Sequence, residues 1–126
     1  RSYLFLQQIR YGDDLSYSLD IKADYLKMYL PPLSLQVVLE NAIKHNIINE
    51  NNPLKIEIFT GNHWLTIKNN LQPKISKGRS TGLGLKNLTK RYAMISPDEP
   101  VFSIETNDYI AKLPLIDIES DERSDY

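Results

Sequence analysis

The chain has no cysteine, so neither a disulfide framework nor a thiolate metal site is available to it. Nothing in it demands an oxidising compartment, and the cytoplasm is the expected setting. It also lacks an excess of either charge: 16 acidic residues stand against 15 basic ones, which leaves no basic footprint for nucleic acid. No apolar run approaches the roughly 20 residues that a membrane span needs. There is no internal repeat, no signal peptide and no starting methionine, since the first residue is Arg1. A fragment of a longer protein is therefore expected. The 126 residues suit one domain with a single core, burying roughly two-thirds of the unfolded surface without staples.

What the chain does have is concentrated in residues 30–48, LPPLSLQVVLENAIKHNII. Pro31 and Pro32 suit a turn and the opening of a helix, and an apolar stripe then repeats at Leu35, Val38, Leu39, Ala42 and Ile43. That spacing predicts a helix over 33–46. At about 100° per residue, Asn41, Lys44 and His45 fall within one arc beside the stripe. One face packs while its neighbour presents an amide, an ammonium and an imidazole. A surface helix with a solvated polar flank would show the same pattern.

Before this helix, residues 2–10 read as the last turns of a helix stopped at Gly12. Leu15, Tyr17, Leu19 and Ile21 then alternate with polar residues, as in a strand with one buried face. After it, Asn46 to Pro53 form a loop, and two strands over 55–60 and 63–69 are joined by a hairpin turn at Gly61 and Asn62. In the second of these, Leu65, Ile67 and Asn69 share a face, so Asn69 points to the buried side. Residues 71–81 are polar, basic and aperiodic, a candidate lid. A helix over 83–95 carries Leu85, Leu88 and Tyr92 on one stripe. Strands over 101–105 and 109–115 are linked by Thr106, Asn107 and Asp108. Hairpin strands with about three helices to cover one face imply an α+β fold, a two-layer sandwich with a mixed sheet.

The stretch LENAIKH after LPPLSLQ resembles the N-box of the GHKL ATP-binding superfamily, in the form found in LytS/YehU-like sensor histidine kinases. RYGDDLSYSLDI resembles the linker and first strand of the same kinases, and TGLGL with the following Asn87 and Arg91 resembles the superfamily's second glycine box. The resemblance runs from about Arg10 to Leu115. It implies the Bergerat fold, with ATP held between the sheet and the helical layer. It divides the chain into a connector over 1–12, a catalytic ATP-binding domain over 13–116 and a disordered acidic tail over 117–126.

Asn41 is the first candidate site residue, because a side-chain carbonyl oxygen is a hard ligand of the kind Mg²⁺ takes beside waters and phosphates. The matching asparagine of the family holds Mg²⁺. A helix asparagine with a local hydrogen bond is the alternative. The resemblance places Lys44 and His45 on the phosphate chain; a solvated lysine and a structural histidine are the rivals. Glu40 is placed to orient or deprotonate an attacking group, or is a plain surface carboxylate. Many superfamily members carry an acid or amide four residues before the metal asparagine, where this chain has Val37.

Thr81, Gly82, Leu83, Gly84 and Leu85, running into Lys86, Asn87 and Arg91, follow a basic loop and open an amphipathic helix. Glycines there let backbone N–H groups approach a phosphate at a helix N-terminus, although a glycine hinge would look alike. The first glycine box departs from the family. Asn69 stands where an aspartate would accept the adenine amino hydrogen, Asn70 follows, and Leu71 and Pro73 replace the glycines. Asn69 keeps an acceptor of similar reach but loses the charge.

The resemblance thus implies a protein-histidine kinase catalytic domain that uses ATP and Mg²⁺ to phosphorylate a histidine on a separate dimerisation helix. That acceptor is not in this chain, whose histidines are His45 and His63. A response regulator of the LytTR type, a homodimer at full length and a membrane anchor outside this segment are implied with it, and no nucleic-acid partner. The rivals are a degenerate GHKL module acting as a signalling scaffold, and another GHKL ATPase or protein kinase.

Overall fold

The computed structural model describes residues 2–26, 28, 30–31, 33–74 and 83–117. Three helices, α1 (Ser2–Tyr11), α2 (Ser34–His45) and α3 (Leu83–Ala93), accompany five strands. The strands are β1 (Leu15–Asp20), β2 (Leu54–Gly61), β3 (Trp64–Asn70), β4 (Val101–Glu105) and β5 (Asp108–Pro114), in the sheet order β1-β2-β3-β5-β4. β1 pairs parallel with β2, and every other neighbour pair is antiparallel. The parallel pair needs a long crossover, and α2 lies within it.

Alternation along the strands and the pairing registers place Leu54, Ile56, Ile58, Leu65, Ile67, Ala111 and Leu113 on one face of the sheet. All are buried, in one cluster with Leu4 of α1, Val38, Leu39 and Ile43 of α2, and Leu88 and Tyr92 of α3. The three helices therefore cover one face of a mixed sheet, the α+β two-layer sandwich that the pattern predicts. Tyr92 is fully buried and donates its hydroxyl hydrogen to the Pro114 carbonyl at 2.8 Å, tying α3 to the end of β5. One inner-face row crosses all five strands: Tyr17, Ile56, Asn69, Tyr109 and Ile104 are successive register partners. Asn69 is the single carboxamide in it.

Several local expectations need correction. The β2–β3 turn is Asn62 and His63, both at positive φ (52° and 68°), while Gly61 pairs with Trp64 as the last rung of the ladder. Two positive-φ centres make the turn twist with its strands. His63 is held there by Tyr25, whose hydroxyl accepts its N–H at 3.2 Å and whose ring meets the imidazole edge-on at 5.7 Å. The β4–β5 turn is Thr106 and Asn107 alone, since Asp108 already pairs with Glu105. Helix α3 ends at Ala93 rather than 95, loosening through Met94 and Ile95 ahead of Pro97.

Strand β1 buries only Leu15 fully; Leu19, and Ile21 just past the strand, are exposed because they line an open hollow with Leu4 of α1 and Leu35 of α2 rather than a closed core. Residues 71–74 are not a free loop. The Gln72 side chain donates to the carbonyls of Ile47, Asn52 and Pro53, and the Lys74 N–H donates to the His45 carbonyl at 3.1 Å. The remainder of the expected lid, 75–81, and the tail over 118–126 lie outside the described residues.

Candidate functional site

Helix α2 begins at an unusual point. Leu33 precedes it at φ 65°, and the Ser34 hydroxyl donates to the Pro31 carbonyl, so the turn before the helix is closed by its own first residue. From there the buried stripe of Val38, Leu39, Ala42 and Ile43 fixes the rotation of the helix against the sheet. Asn41 and His45, one turn apart, are thereby aimed along the seam between α2 and the ends of β3, β4 and β5.

A cleft of about 360 Å³ opens in this seam, within the range of small-molecule sites. It is lined by Asn41, Ala42, His45 and Asn46 of the α2 segment, Leu71 and Pro73 after β3, Leu85 of α3, and Ile104 and Tyr109 of β4 and β5. Asn41 is half-buried, and among the described residues its carboxamide makes no hydrogen bond. The His45 imidazole is held below the ordinary histidine pKa by its partial burial first, and then by the charges of Lys44 and Lys74. Partial burial and the two neighbouring cations all disfavour its protonated form. Burial raises the Tyr109 phenol above its ordinary value.

Asn69 is 1% exposed and reaches the inner layer, behind the lining rather than in it. Its Nδ2 donates to the Asn70 carbonyl at 2.9 Å, while Oδ1 is buried with no hydrogen-bond partner. A carbonyl only accepts, so the amide orientation is set, and the orphan atom is an acceptor. Such a group is rare in native cores and fits a ligand donor that completes it.

Other expected residues lie elsewhere. Glu40 is exposed and accepts from Gln36 at 2.8 Å, away from the cleft. Lys44 is exposed beside the cleft without lining it. Asn70 turns to the opposite face, where its Oδ1 accepts from the Lys55 N–H at 2.7 Å and its Nδ2 donates to the Pro53 carbonyl, so it fastens the start of β2. Of the second glycine box, Leu85 reaches the cleft. A Cβ on Gly84 would stand 3.4 Å from Val37 Cγ1, so this glycine brings the start of α3 close against α2. Leu83, Lys86 and Asn87 are exposed and Arg91 is half-buried, none of them lining the cleft; Thr81 and Gly82 lie outside the described residues.

Asn46, Ile104 and Tyr109 were not legible as site residues from motifs. Tyr109 follows the inward alternation with Ala111 and Leu113, which is the signal that would have found it. A larger hollow of about 640 Å³ lies on the opposite face of the sheet, over Trp64 and Phe59. It gathers strand residues and turn residues, with no contribution from α2.

With this geometry in view, the likenesses to known proteins are informative. The sensor protein LytS of Enterococcus faecalis is 27% identical over 121 residues, spanning 83% of this chain. The sensor histidine kinase/phosphatase LytS of Staphylococcus aureus strain MRSA252 is 31% identical over 88 residues, or 67% of this chain. The catalytic domain of histidine kinase ThkA superposes with a TM-score of 0.58 at 20% identity, covering 89% of this chain and 87% of that one. The chain is a homologue of the LytS sensor histidine kinases with a histidine kinase catalytic-domain fold. The chain also superposes on the Acinetobacter baumannii histidine kinase AdeS, with a TM-score of 0.55 at 14% identity, over 91% of this chain and 61% of that one. No protein-family model matches it. It corresponds to 20% and 15% of the lengths of the two LytS relatives.

Proposed function

We propose that this LytS-type domain binds ATP with Mg²⁺ in the cleft beside α2 and supplies the γ-phosphoryl group to a histidine on a separate dimerisation helix. The observation that carries this reading is the pairing of a half-buried, uncommitted Asn41 carboxamide at the cleft with an orphaned acceptor, Asn69 Oδ1, in the layer behind it. The two suit opposite ends of a nucleotide: a metal-bound phosphate chain and a base that carries an amino group.

The donor set fits Mg²⁺ in a restricted sense. Among the described residues no group of three or more His, Asp or Glu side chains could hold a metal. A single amide oxygen suits an ion that arrives with waters and phosphate oxygens. When bound, Mg²⁺ would neutralise charge on the phosphoryl oxygens. The chain's own groups position and screen: Asn41 offers the carbonyl oxygen, His45 a ring N–H at the cleft wall, and Lys44 a positive field from beside it. Half-buried Leu71 and Leu85 give the cleft an apolar wall on which the flat face of a base can pack, with Pro73 and Ile104 exposed at its rim. The role of Glu40 as base would need it to leave Gln36 and cross to the cleft side of α2. A response regulator, a full-length homodimer and a membrane anchor outside this segment belong to the same proposal.

One observation favours a second reading, a weakly binding scaffold: Leu71 and Pro73 fill the wall where the superfamily has glycines. Calorimetric titration with ATP, with and without Mg²⁺, separates the two. Mg²⁺-dependent binding that Asn41→Ala abolishes, with an unchanged thermal melt, is the expected result. Absent binding in the wild type favours the scaffold.

A further inference from the structure

The acceptor that a base would need is not open to the cleft. Asn69 is 1% exposed, and its inner-face neighbours in the cross-sheet row are Ile56, fully buried, on one side and Tyr109 on the other. Directly opposed residues of antiparallel strands bring their Cβ atoms to about 5 Å, so the Tyr109 ring is in reach of covering the Asn69 side chain. Tyr109 lines the cleft and Asn69 does not. Beyond Tyr109 the row ends at Ile104, 63% exposed on the edge strand at the rim. The way from the cleft to Asn69 Oδ1 along this row therefore passes Tyr109.

We propose that Tyr109 is a gate over the base subsite, closed in this structure, which swings toward the rim to uncover Asn69 Oδ1 for the amino group of an adenine base. This rests on the nucleotide reading of the cleft. Two features make the ring movable. Among the described residues its hydroxyl makes no hydrogen bond, so opening breaks none, and the neighbour on its outer side is an exposed edge residue rather than packed core. Closing leaves the Asn69 oxygen unpaired, whereas opening with a base in place pairs it, so the ligand binds the open state selectively. The sequence places no charge in this row that could attract a base from a distance, and the ring is a positioning residue acting through access to Asn69.

Stopped-flow mixing of the chain with Mg²⁺ and an ATP carrying a fluorescent N-methylanthraniloyl group on its ribose tests the gate. A rate-limiting opening makes the observed association rate level off as nucleotide is raised, in the wild type and in Tyr109→Phe. Tyr109→Val, which keeps a strand-forming residue but removes the ring, should give a rate that rises linearly and an apparent affinity tighter by about tenfold. Tyr109→Leu serves the same purpose should the valine variant fail to fold by circular dichroism. A linear wild-type rate, or weaker binding when the ring is removed, would make Tyr109 a fixed wall and overturn the gate alone. Binding confined to the ring-less variants supports it most strongly. Should neither the wild type nor these variants take up the nucleotide, the nucleotide reading falls and the gate with it.

Discussion

Asn46 and Gln72 are locked together across 26 positions of sequence: Asn46 Oδ1 accepts the Gln72 backbone N–H at 2.7 Å while its Nδ2 donates to the Ala42 carbonyl at 2.7 Å. One buried side chain thus caps the end of α2 and fastens the segment after β3 to it. The Ile47 N–H adds a donation to the Gln72 carbonyl at 2.8 Å. The wall of the cleft that Leu71 and Pro73 provide is held by this clamp.

Asn46→Ala should therefore cost about 1–3 kcal/mol, because it leaves buried backbone groups without partners. Hydrogen exchange gives the local readout. The amides of Gln72 and Lys74 should exchange slowly in the free wild type and quickly in the variant. Unchanged protection in the variant would mean that the Gln72 side chain alone suffices to hold the segment.

Tyr92→Phe should lower stability by about 1–1.5 kcal/mol through loss of its hydrogen bond to Pro114. It should also flatten the alkaline limb of the stability curve. Burial raises the Tyr92 pKa far above the ordinary 10.0, so above that pH the unfolded chain releases a proton that the folded chain keeps. The contribution of Tyr92 is complete below pH 10.0 and declines as pH climbs past it. Urea titrations at pH 8 and pH 10.5 check the difference. Parallel losses in the wild type and Tyr92→Phe would rule this residue out as the source.

These features differ in how far the sequence announced them. The α2 stripe was legible because Val38, Leu39, Ala42 and Ile43 repeat at helical spacing, and the inward aim of Asn69 followed from strand alternation with Leu65 and Ile67. The hairpin turn was misplaced by one residue, since Gly61 carries the usual turn signal while Asn62 and His63 adopt the positive φ. The Asn46 clamp depends on a contact across 26 positions, which no local pattern encodes, whereas the inward aim of Tyr109 lies in strand alternation and only its place opposite Asn69 depends on pairing register. Glu40 was named from adjacency to Asn41, yet one step along a helix turns a side chain by about 100°, enough to leave the cleft.

Thr106 adopts φ 57°, a region that costs a β-branched residue on the order of 1–2 kcal/mol, at an exposed turn. Thr106→Gly should stabilise the domain by about 0.5–1 kcal/mol after the added chain entropy of glycine is set against the relieved strain. The denaturation midpoint measures it. A lower midpoint would show that the Thr106 side chain contributes more than its backbone costs.

Asn69→Asp puts a carboxylate where this chain has built its surroundings for an amide. The Asn69 Nδ2 donates to the Asn70 carbonyl at 2.9 Å, and an aspartate would set an oxygen against that carbonyl in a side chain only 1% exposed. Stability at neutral pH should fall by about 2–4 kcal/mol, combining a lost hydrogen bond with a buried charge. Protonation lets the carboxyl donate to Asn70 again, so its folded pKa is raised. The deficit should therefore shrink on acidification and grow as pH rises through that value. A base with an amino group offers the charged form a partner, so ATP should raise the melting temperature of the variant at pH 8 by more than GTP does, and by more than ATP raises that of the wild type. Thermal melts at pH 5 and pH 8 with each nucleotide decide it. A variant as stable as the wild type at pH 8 would place the Asn69 amide in a wetter setting than the cross-sheet row implies, and equal shifts with ATP and GTP would move the base away from Asn69.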